Sequence, residues 1–416
     1  MRLTELDFDF PEELIAQEPA EPRDSCRLMY LPARGDTRHL RFFDLPDLLR
    51  SGDTVVFNDS RVLPARLEAV KPTGGKVELL FLHPAGVDRG ADEAAAGRGM
   101  TVASGEASST GGDAAPPGAA GTATQTGLEM WEVLARPSHR LREGGKLLLP
   151  GGGESILQRR LGDGRWLLSA AQGVSLSGVM ERHGRMPLPP YIRSYSGDPE
   201  AYQTVYAAHP GSAAAPTAGL HFSPRVIQSL SEAGVDSAYV TLHVGLDTFQ
   251  PIREEEVEKH RIHREAYSLT TESVTSLQQT RSRGGRLIAV GTTAARVLET
   301  LAVRGLLGAD IAAGRSNQRS VVSGTTDIFM TPGYRFRGVD VLLTNFHLPR
   351  TTVLALVMAF AGVERIRRAY REAIGAHYRF FSFGDAMLIE PNTEESSAGR
   401  ISVPQSKRVR VPKEDE

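Results

Sequence analysis

Three histidines lie where a strand or a loop of the sequence ends, and histidine is the commonest general base because its ring titrates near neutral pH. His243 closes an apolar, strand-like run, and the period of two turns its neighbours Leu242 and Val244 to the opposite face. His221 and His347 follow a similar pattern. We expect His243 to transfer a proton, with His221 as a second candidate. The alternative for each is a buried histidine whose hydrogen bonds are satisfied within the core.

His221 belongs to a stretch that is too rich in Pro and Gly to form one helix or one strand. The stretch ends in Pro216–Phe222, which contains Thr217 and Gly219. Small side chains in a long loop allow a ligand to approach the backbone, and Thr217 adds a hydroxyl beside that gap. We therefore expect Thr217 and Gly219 to bind substrate. The alternative is an irregular connection between domains.

An apolar run that passes through Gly291 into a helix predicts a ligand site at a strand end. Thr292 or Thr293 is expected to cap the helix, and the free N–H groups there favour a carboxylate or a phosphate. Arg296 lies one helical turn further along and is expected to face the same ligand site at the strand end. The alternatives are a capped helix without a ligand, and an arginine that is solvated or paired with Glu299.

Arginine recognises phosphate and carboxylate groups through two parallel hydrogen bonds, which makes four polar residues near the start of the chain candidates for substrate binding. Asn58, Arg61 and Arg66 flank a turn between strands, and Arg23 stands in a second polar block. The commoner fate of such arginines is a surface ion pair.

Further candidates follow two later strands. Asn345 and His347 are expected to bind substrate, and Asp385 is a third candidate for catalysis. Asp385 follows an aromatic run, Tyr378–Phe383, whose rings are suited either to stacking on a base or to core packing. We expect the polar turns at His221, His243, Thr292 and Asn345 to converge on one site, because α/β sheets bind ligands at strand ends.

Composition excludes several classes of site. Cys26 is the only cysteine, so a disulfide framework and a multi-cysteine zinc site are excluded. His260 and His263 are three residues apart but have no third ligand nearby, and no metal is expected. The acidic start of the chain predicts no export signal, and 352–362 is too short to cross a membrane, so we expect a cytoplasmic protein. A net charge of −2 gives no sign of nucleic-acid binding.

Short strand-like runs and Gly-rich turns between 54 and 169 predict a small β-barrel. Strands and helices alternate after about residue 211, which is typical of an α/β domain with a mainly parallel sheet. Residues 84–130 and the tail from 391 to 416 contain few large apolar residues, so we expect both to be disordered. The predicted organisation is a main α/β domain over 1–53 and 185–390, with a barrel domain inserted at 54–184.

Blocks of sequence along nearly the whole chain resemble the bacterial S-adenosylmethionine:tRNA ribosyltransferase-isomerase family of queuosine biosynthesis. The blocks stand in the family's order and are DFDFPEELIAQ from Asp7, SCRL from Ser25, VVFNDSRVLPARL from Val55, GGKVELL from Gly74, MPLPPYIRSY from Met186, VTLHVGLDTFQP from Val240, AVGTTAARVLE from Ala289, LLTNFHLP from Leu342 and YRFFSFGDAM from Tyr378. Two departures are Ala294-Ala295, where the family usually has a serine, and Met358, where a small polar residue is common.

The resemblance implies an enzyme that takes the ribosyl group of S-adenosylmethionine, transfers it to 7-aminomethyl-7-deazaguanine at the tRNA wobble position and isomerises it. Epoxyqueuosine forms, and adenine and methionine leave. The implied partner is a tRNA anticodon loop, no cofactor beyond S-adenosylmethionine is implied, and we expect a monomer. One alternative is a tRNA-binding protein without catalysis. Another is a methyltransferase, which would need a Gly-rich turn after an early strand.

Overall fold

The computed structural model describes residues 1–85, 129–245, 252–262, 264–308 and 321–391. The predictions for His263, for the tail after 391 and for most of the 84–130 segment lie outside these residues.

The described residues form a large mixed sheet, a closed barrel and a small two-stranded sheet. The strands are β1 (Arg27–Leu31), β2 (Arg38–Arg41), β3 (Thr54–Asn58), β4 (Ser60–Val62), β5 (Arg66–Val70), β6 (Lys76–Pro84), β7 (Met130–Arg136), β8 (Lys146–Leu148), β9 (Glu154–Gly162), β10 (Arg165–Ala170), β11 (His209–Ser212), β12 (Asp236–Leu242), β13 (Glu265–Thr270), β14 (Leu287–Val290), β15 (Val321–Thr326), β16 (Val341–Asn345) and β17 (Ala386–Ile389). The α-helices are α1 (Leu176–His183), α2 (Pro224–Glu232), α3 (Thr271–Ser282), α4 (Gly291–Val303), α5 (Thr352–Ala361) and α6 (Val363–Gly375).

The nine-stranded sheet has the order β15-β13-β12-β3-β14-β16-β17-β1-β2. Its centre, from β12 to β16, is parallel, whereas β13, β15 and β2 pair antiparallel at the edges and β17 runs antiparallel to β16. Every residue of β3, β14 and β16 is buried, as expected for strands covered by helices on both faces. The mixed α/β class is confirmed, although parallel pairing is restricted to half of the neighbouring pairs.

Helix patterns explain how the sheet is covered. In α6 the buried residues are Ile366, Ala369, Tyr370 and Ala373, a spacing that places one apolar stripe against the core. In α5 nearly every side chain is buried, so this apolar helix is a core element. This agrees with the expectation that 352–362 is too short to cross a membrane. No helix within the described ranges is long and apolar enough to cross a membrane.

The predicted barrel is confirmed as a closed six-stranded barrel in the order β10-β7-β6-β5-β8-β9. Alternate residues of β7 point inward and carry Trp131 and Val133 into a core that also contains Trp166. The β9–β10 turn has positive φ at Asp163 (47°) and Gly164 (79°), which the local LGDG sequence accommodates.

Strand β3 differs from the prediction that grouped Thr54–Phe57 with the barrel strands. It lies in the centre of the large sheet, between β12 and β14, because its five consecutive buried residues suit a strand covered on both faces. We propose that the inserted unit begins after β4.

The chain enters and leaves the barrel through one narrow junction. Arg66 and Arg185 exchange two backbone hydrogen bonds, of 3.2 and 2.8 Å, so the entering and leaving segments pair as a short ladder. Gly184 packs so closely on this ladder that a Cβ atom there would overlap the carbonyl oxygen of Pro64. The junction thus requires glycine at this position.

Candidate functional site

A cavity open to solvent lies at the carboxyl ends of β14 and β16, beneath the loop that precedes Phe222. This is the edge of an α/β sheet where ligands usually bind. The lining residues are Tyr191, Ala215, Pro216, Thr217, Ala218, Val244, Gly291, Thr292, Thr293, Thr344, Asn345, Phe346, His347, Leu348, Thr351, Val353, Phe381 and Ser382. Six predicted substrate-binding residues are among them, at 217, 291, 292, 293, 345 and 347. No Asp, Glu, Lys or Arg is among these lining residues.

The first turn of α4 forms one wall of the cavity and has no side-chain cap. The residue before the helix is Val290, and neither Thr292 nor Thr293 caps it, contrary to our expectation. Gly291 has a φ of 83°, which lets the chain turn from strand to helix at the cavity wall. The first N–H groups of a helix have no partner within the helix, so this wall offers hydrogen-bond donors and the positive end of the helix dipole.

Thr293 adds a further hydrogen-bonding group to this cavity wall. Its hydroxyl oxygen is buried and has no hydrogen-bond partner among the described residues. A buried hydroxyl without a partner is costly, so such a group in a cavity wall indicates a ligand or a water.

Asn345 organises the opposite wall. Its Nδ2 donates to the carbonyl oxygen of Phe381 at 3.0 Å and to Nε2 of His221 at 3.0 Å, and its Oδ1 accepts from the hydroxyl of Thr217 at 3.1 Å. A backbone carbonyl only accepts, so the Phe381 contact fixes which way the amide faces. The hydroxyl of Thr217 donates its proton to Asn345. Its lone pairs therefore remain available to accept a hydrogen bond from a donor in the cavity.

His221 lies behind this wall and not in the lining. Because Nε2 accepts from Asn345, the neutral ring carries its proton on Nδ1, which lies 3.3 Å from Sγ of Cys26. Burial, aided by Arg379 and Arg23, lowers the pKa of His221 to about 3. Burial also raises the pKa of the Cys26 thiol well above its usual value. Both groups are therefore neutral at pH 7, and the position of His221 favours orientation of Asn345 over proton transfer.

His347 faces the cavity. Its Nε2 lies 2.7 Å from the hydroxyl of Thr344, and its backbone N–H donates to the hydroxyl of Tyr370 at 2.9 Å. Burial lowers the pKa of His347 to about 4, so this ring is also neutral at pH 7.

Two lining hydroxyls did not emerge from the sequence. Those of Tyr191 and Ser382 lie 2.7 Å apart, and the Tyr191 ring packs on Phe381 with centroids 4.9 Å apart. Burial raises the pKa of Tyr191 to about 12. Tyr191 lies in the proline-rich segment and Ser382 in the aromatic run of the sequence, but neither pattern singles out a hydroxyl.

His243 belongs to a second polar cluster that adjoins the cavity. Val244 lines the cavity, whereas His243 is absent from the lining. In this cluster Asp59 accepts from the hydroxyl of Thr241 at 2.7 Å and lies 3.6 Å from Nε2 of His209. Burial raises the pKa of Asp59, while burial and then His209 lower that of His243. Nδ1 of His243 is buried and has no partner among the described residues.

Arg296 neither faces the cavity nor pairs with Glu299. It is buried and forms an ion pair with Glu265, which also accepts from the backbone N–H of Gly245 at 3.1 Å. Glu299 instead accepts three backbone N–H groups from 337–339, at 2.8 to 3.1 Å. Both carboxylates therefore hold loops in place.

Asn58 and Gly219 have positions that serve the architecture of the site. The amide of Asn58 is buried and bonds to both backbone groups of Leu242, at 3.0 Å each, which locks β3 to β12 just before His243. Gly219 lies under the hydroxyl of Tyr206, where a Cβ atom would overlap it.

The remaining predicted residues also lie away from the lining. Arg23 donates to the carbonyl oxygen of Gln203 at 3.0 Å, Arg61 pairs with Glu200 on the surface at 2.6 Å, and Arg66 lies 3.7 Å from Glu78.

Asp385 is buried and is held by several donors. It accepts from the backbone N–H groups of Arg27 and Arg379 at 2.9 and 2.8 Å, and from Nε of Arg27 at 3.2 Å. These contacts pin the chain that follows Phe383 and leave little capacity for a substrate. Within the described ranges, no group of three His, Cys, Asp or Glu side chains is placed to hold a metal ion.

Comparisons with known proteins agree over nearly the full length. A family model described as queuosine biosynthesis protein matches residues 3–389. The S-adenosylmethionine:tRNA ribosyltransferase-isomerase of Anaeromyxobacter sp. (strain Fw109-5) is 45% identical over 392 residues, which cover 94% of this chain and 99% of the relative. The relative of the same name from Rubrobacter xylanophilus is 46% identical over 391 residues, covering 94% and 98%. A crystal structure of S-adenosylmethionine tRNA ribosyltransferase from Thermotoga maritima is 33% identical and covers 92% of this chain and 99% of that chain, with a TM-score of 0.46.

Proposed function

The chain belongs to the queuosine biosynthesis protein family and is a transferase that modifies tRNA, and from this premise we propose the reaction in detail. The enzyme moves the ribosyl group of S-adenosylmethionine onto the aminomethyl group of 7-aminomethyl-7-deazaguanine at the wobble position of a tRNA. It isomerises that group to an epoxycyclopentanediol, so epoxyqueuosine forms while adenine and methionine are released. S-adenosylmethionine is a co-substrate, and the tRNA is engaged through its anticodon loop, where the base is accessible without melting a duplex.

The observation that carries the proposal is a site for a carboxylate in an otherwise uncharged cavity. The uncapped first turn of α4 and the unpartnered hydroxyl of Thr293 offer donors at one place. The carboxylate of the methionine moiety fits this place, since helix N-termini bind anions.

The rest of the lining suits a sulfonium ion. Tyr191 and Phe381 supply aromatic faces, which attract a cation, and no basic side chain in the lining repels it. A sulfonium acidifies the hydrogens on the adjacent C5′ carbon, so its placement in an apolar cavity favours loss of a C5′ proton. Thr217, held by Asn345, presents lone pairs to a hydroxyl or an amine of the substrate.

Proton transfer is assigned to the cluster beside the cavity. His243 has an unpartnered ring nitrogen, whereas both nitrogens of His221 have partners. The ring of His243 is neutral at pH 7 because burial lowers its pKa, so it is able to accept a proton. Since it lies outside the cavity lining, we assign it to the acceptor amine, which must be neutral to attack. His221 positions Asn345, and Asp385 holds the chain that follows Phe383.

One incubation tests the proposal against its two rivals. The protein is mixed with S-adenosylmethionine and tRNA that carries the 7-aminomethyl-7-deazaguanine precursor, and the small products are separated. Release of free adenine only with that tRNA supports ribosyl transfer. S-adenosylhomocysteine would indicate a methyltransferase, and binding without either product would indicate a tRNA-binding protein that lacks catalysis.

A further inference from the structure

The end of the barrel opposite its junction carries a concentration of exposed arginines. In a closed antiparallel barrel the connections alternate between the two ends, so the β5–β6, β7–β8 and β9–β10 connections share one end. Contacts agree with this assignment, because Lys71 Nζ donates to the carbonyl oxygen of Arg140 at 3.3 Å and Trp166 Nε1 donates to Ser138 at 3.0 Å. We define the barrel-end basic surface as Arg136, Arg140, Arg142, Arg159 and Arg160, all of which are exposed.

The guanidinium groups of this surface lack acidic partners within the described part of the chain. No salt bridge joins any of the five to a carboxylate there, and Arg160 instead lies 5.9 Å from the Trp166 ring centroid. Two acids, Glu143 and Asp163, lie at the same end. One oxygen of Glu143 is engaged by the backbone N–H of Arg160 at 2.9 Å.

Three other cations of the barrel are paired. Lys76 lies 2.8 Å from Glu68, Lys146 lies 3.1 Å from Glu154, and Arg165 lies 3.2 Å from Glu132. Lys76 and Arg165 adjoin the β5–β6 and β9–β10 turns, so this end of the barrel holds paired cations beside the five arginines, which have no carboxylate partner among the described residues. Like charges in close proximity repel, so such a cluster is favourable when an anionic partner neutralises it.

We propose that the barrel-end basic surface binds backbone phosphates of the substrate tRNA. The inference rests on the proposed function, which supplies the tRNA, and it assigns a contact region that is separate from the cavity. Arginine, with its planar fork of donors, suits phosphate oxygens better than lysine does, and all five residues are arginines. Such contacts carry little sequence information but add affinity and fix the orientation of the RNA.

The test compares two triple variants of the full-length chain. One replaces unpaired cations, Arg136→Gln, Arg140→Gln and Arg142→Gln. The control replaces three paired surface cations outside the barrel, Lys259→Gln, Arg264→Gln and Arg367→Gln, and removes the same formal charge. Binding to fluorescent tRNA is measured by anisotropy at several KCl concentrations, after circular dichroism has established that both variants keep the parent's melting temperature within a few degrees.

We expect the arginine variant to bind tRNA ~10-fold or more weakly, with a salt dependence of log K that is shallower by ~2 to 3 units, because each lost phosphate contact removes close to one unit. The affinity for S-adenosylmethionine and kcat at saturating tRNA should match the parent. Equal losses of tRNA binding in both variants, or an unchanged salt dependence in the arginine variant, would overturn the assignment. If neither the parent nor the variants release adenine, the proposed reaction is wrong. The comparison of tRNA binding still tests whether the barrel-end basic surface binds tRNA.

Discussion

The hydroxyl of Thr293 provides the sharpest test of the proposed carboxylate site. It destabilises the free protein, whereas we expect it to stabilise the complex with S-adenosylmethionine. It is buried at the first turn of α4 and has no partner among the described residues. In Thr293→Val the hydroxyl becomes a methyl group of similar shape. A buried hydroxyl without a partner costs about 1–3 kcal/mol, so the substitution should leave the free protein as stable as the parent or more stable by about 1 kcal/mol.

The complex should respond in the opposite way. A hydrogen bond to a charged group contributes about 1.5–3 kcal/mol, and tenfold in affinity corresponds to about 1.4 kcal/mol. If Thr293 donates to the carboxylate of S-adenosylmethionine, the variant should bind this ligand at least ~10-fold more weakly. Isothermal titration calorimetry gives the affinity, and urea unfolding of the free protein gives the stability.

Thr300 is the matched control, two turns along the same helix. Its hydroxyl donates to the carbonyl oxygen of Arg296 at 2.7 Å and lies 2.6 Å from the hydroxyl of Thr326. Thr300→Val should therefore lose about 1–2 kcal/mol of stability and keep the parent's affinity for S-adenosylmethionine. A Thr293 variant that behaves like this control, less stable but with unchanged affinity, would refute the anion site.

Three further predictions address proton transfer, the inserted segment and pH. His243→Ala should lower turnover by ~10²-fold or more while binding of S-adenosylmethionine and tRNA stays within a few-fold. Single-turnover kinetics on a variant of measured stability checks this. Unchanged turnover would exclude His243 as the group that transfers the proton. Within 84–130, replacement of residues 86–128, between the end of β6 and Glu129, by a short Gly/Ser turn should preserve melting temperature and turnover, and a large loss of either would assign the segment a role. The pKa of His221 is about 3 in the folded protein and near 6.5 when unfolded, so stability should be complete above pH 6.5 and fall on acidification by up to ~1.4 kcal/mol per pH unit. Urea unfolding from pH 7 to 4 should show a shallower fall in His221→Gln, and identical slopes would show that His221 is not buried and neutral.

The sequence predicted the parts of the site that depend on local pattern. The apolar run before Gly291 identified a strand that turns into a helix at a sheet edge, and the loop with Thr217 was recognised by its small residues. Both line the cavity because the carboxyl ends of neighbouring parallel strands meet at one edge. The strand-like runs between 54 and 169 and the later alternation of strands and helices identified the barrel and the mixed α/β class.

The parts that the sequence did not predict depend on partners distant in the chain. Arg296 pairs with Glu265, 31 residues away, and the nearby Glu299 is occupied by backbone groups of 337–339, so the rule for neighbouring charges on a helix does not apply. Helix α4 starts without a threonine cap because Val290 occupies the capping position. The pairing of Tyr191 with Ser382 joins segments 191 residues apart, and no local pattern reports such a contact.

The junction at Arg66 and Arg185 holds the segments that lead into and out of the barrel side by side. Two backbone hydrogen bonds and the close fit of Gly184 against Pro64 join these segments there. Because a Cβ atom at residue 184 would overlap the carbonyl oxygen of Pro64, any side chain there would have to push the entering and leaving segments apart, and Gly184→Ala would therefore disturb the base of the barrel while every residue of the cavity lining stays unchanged.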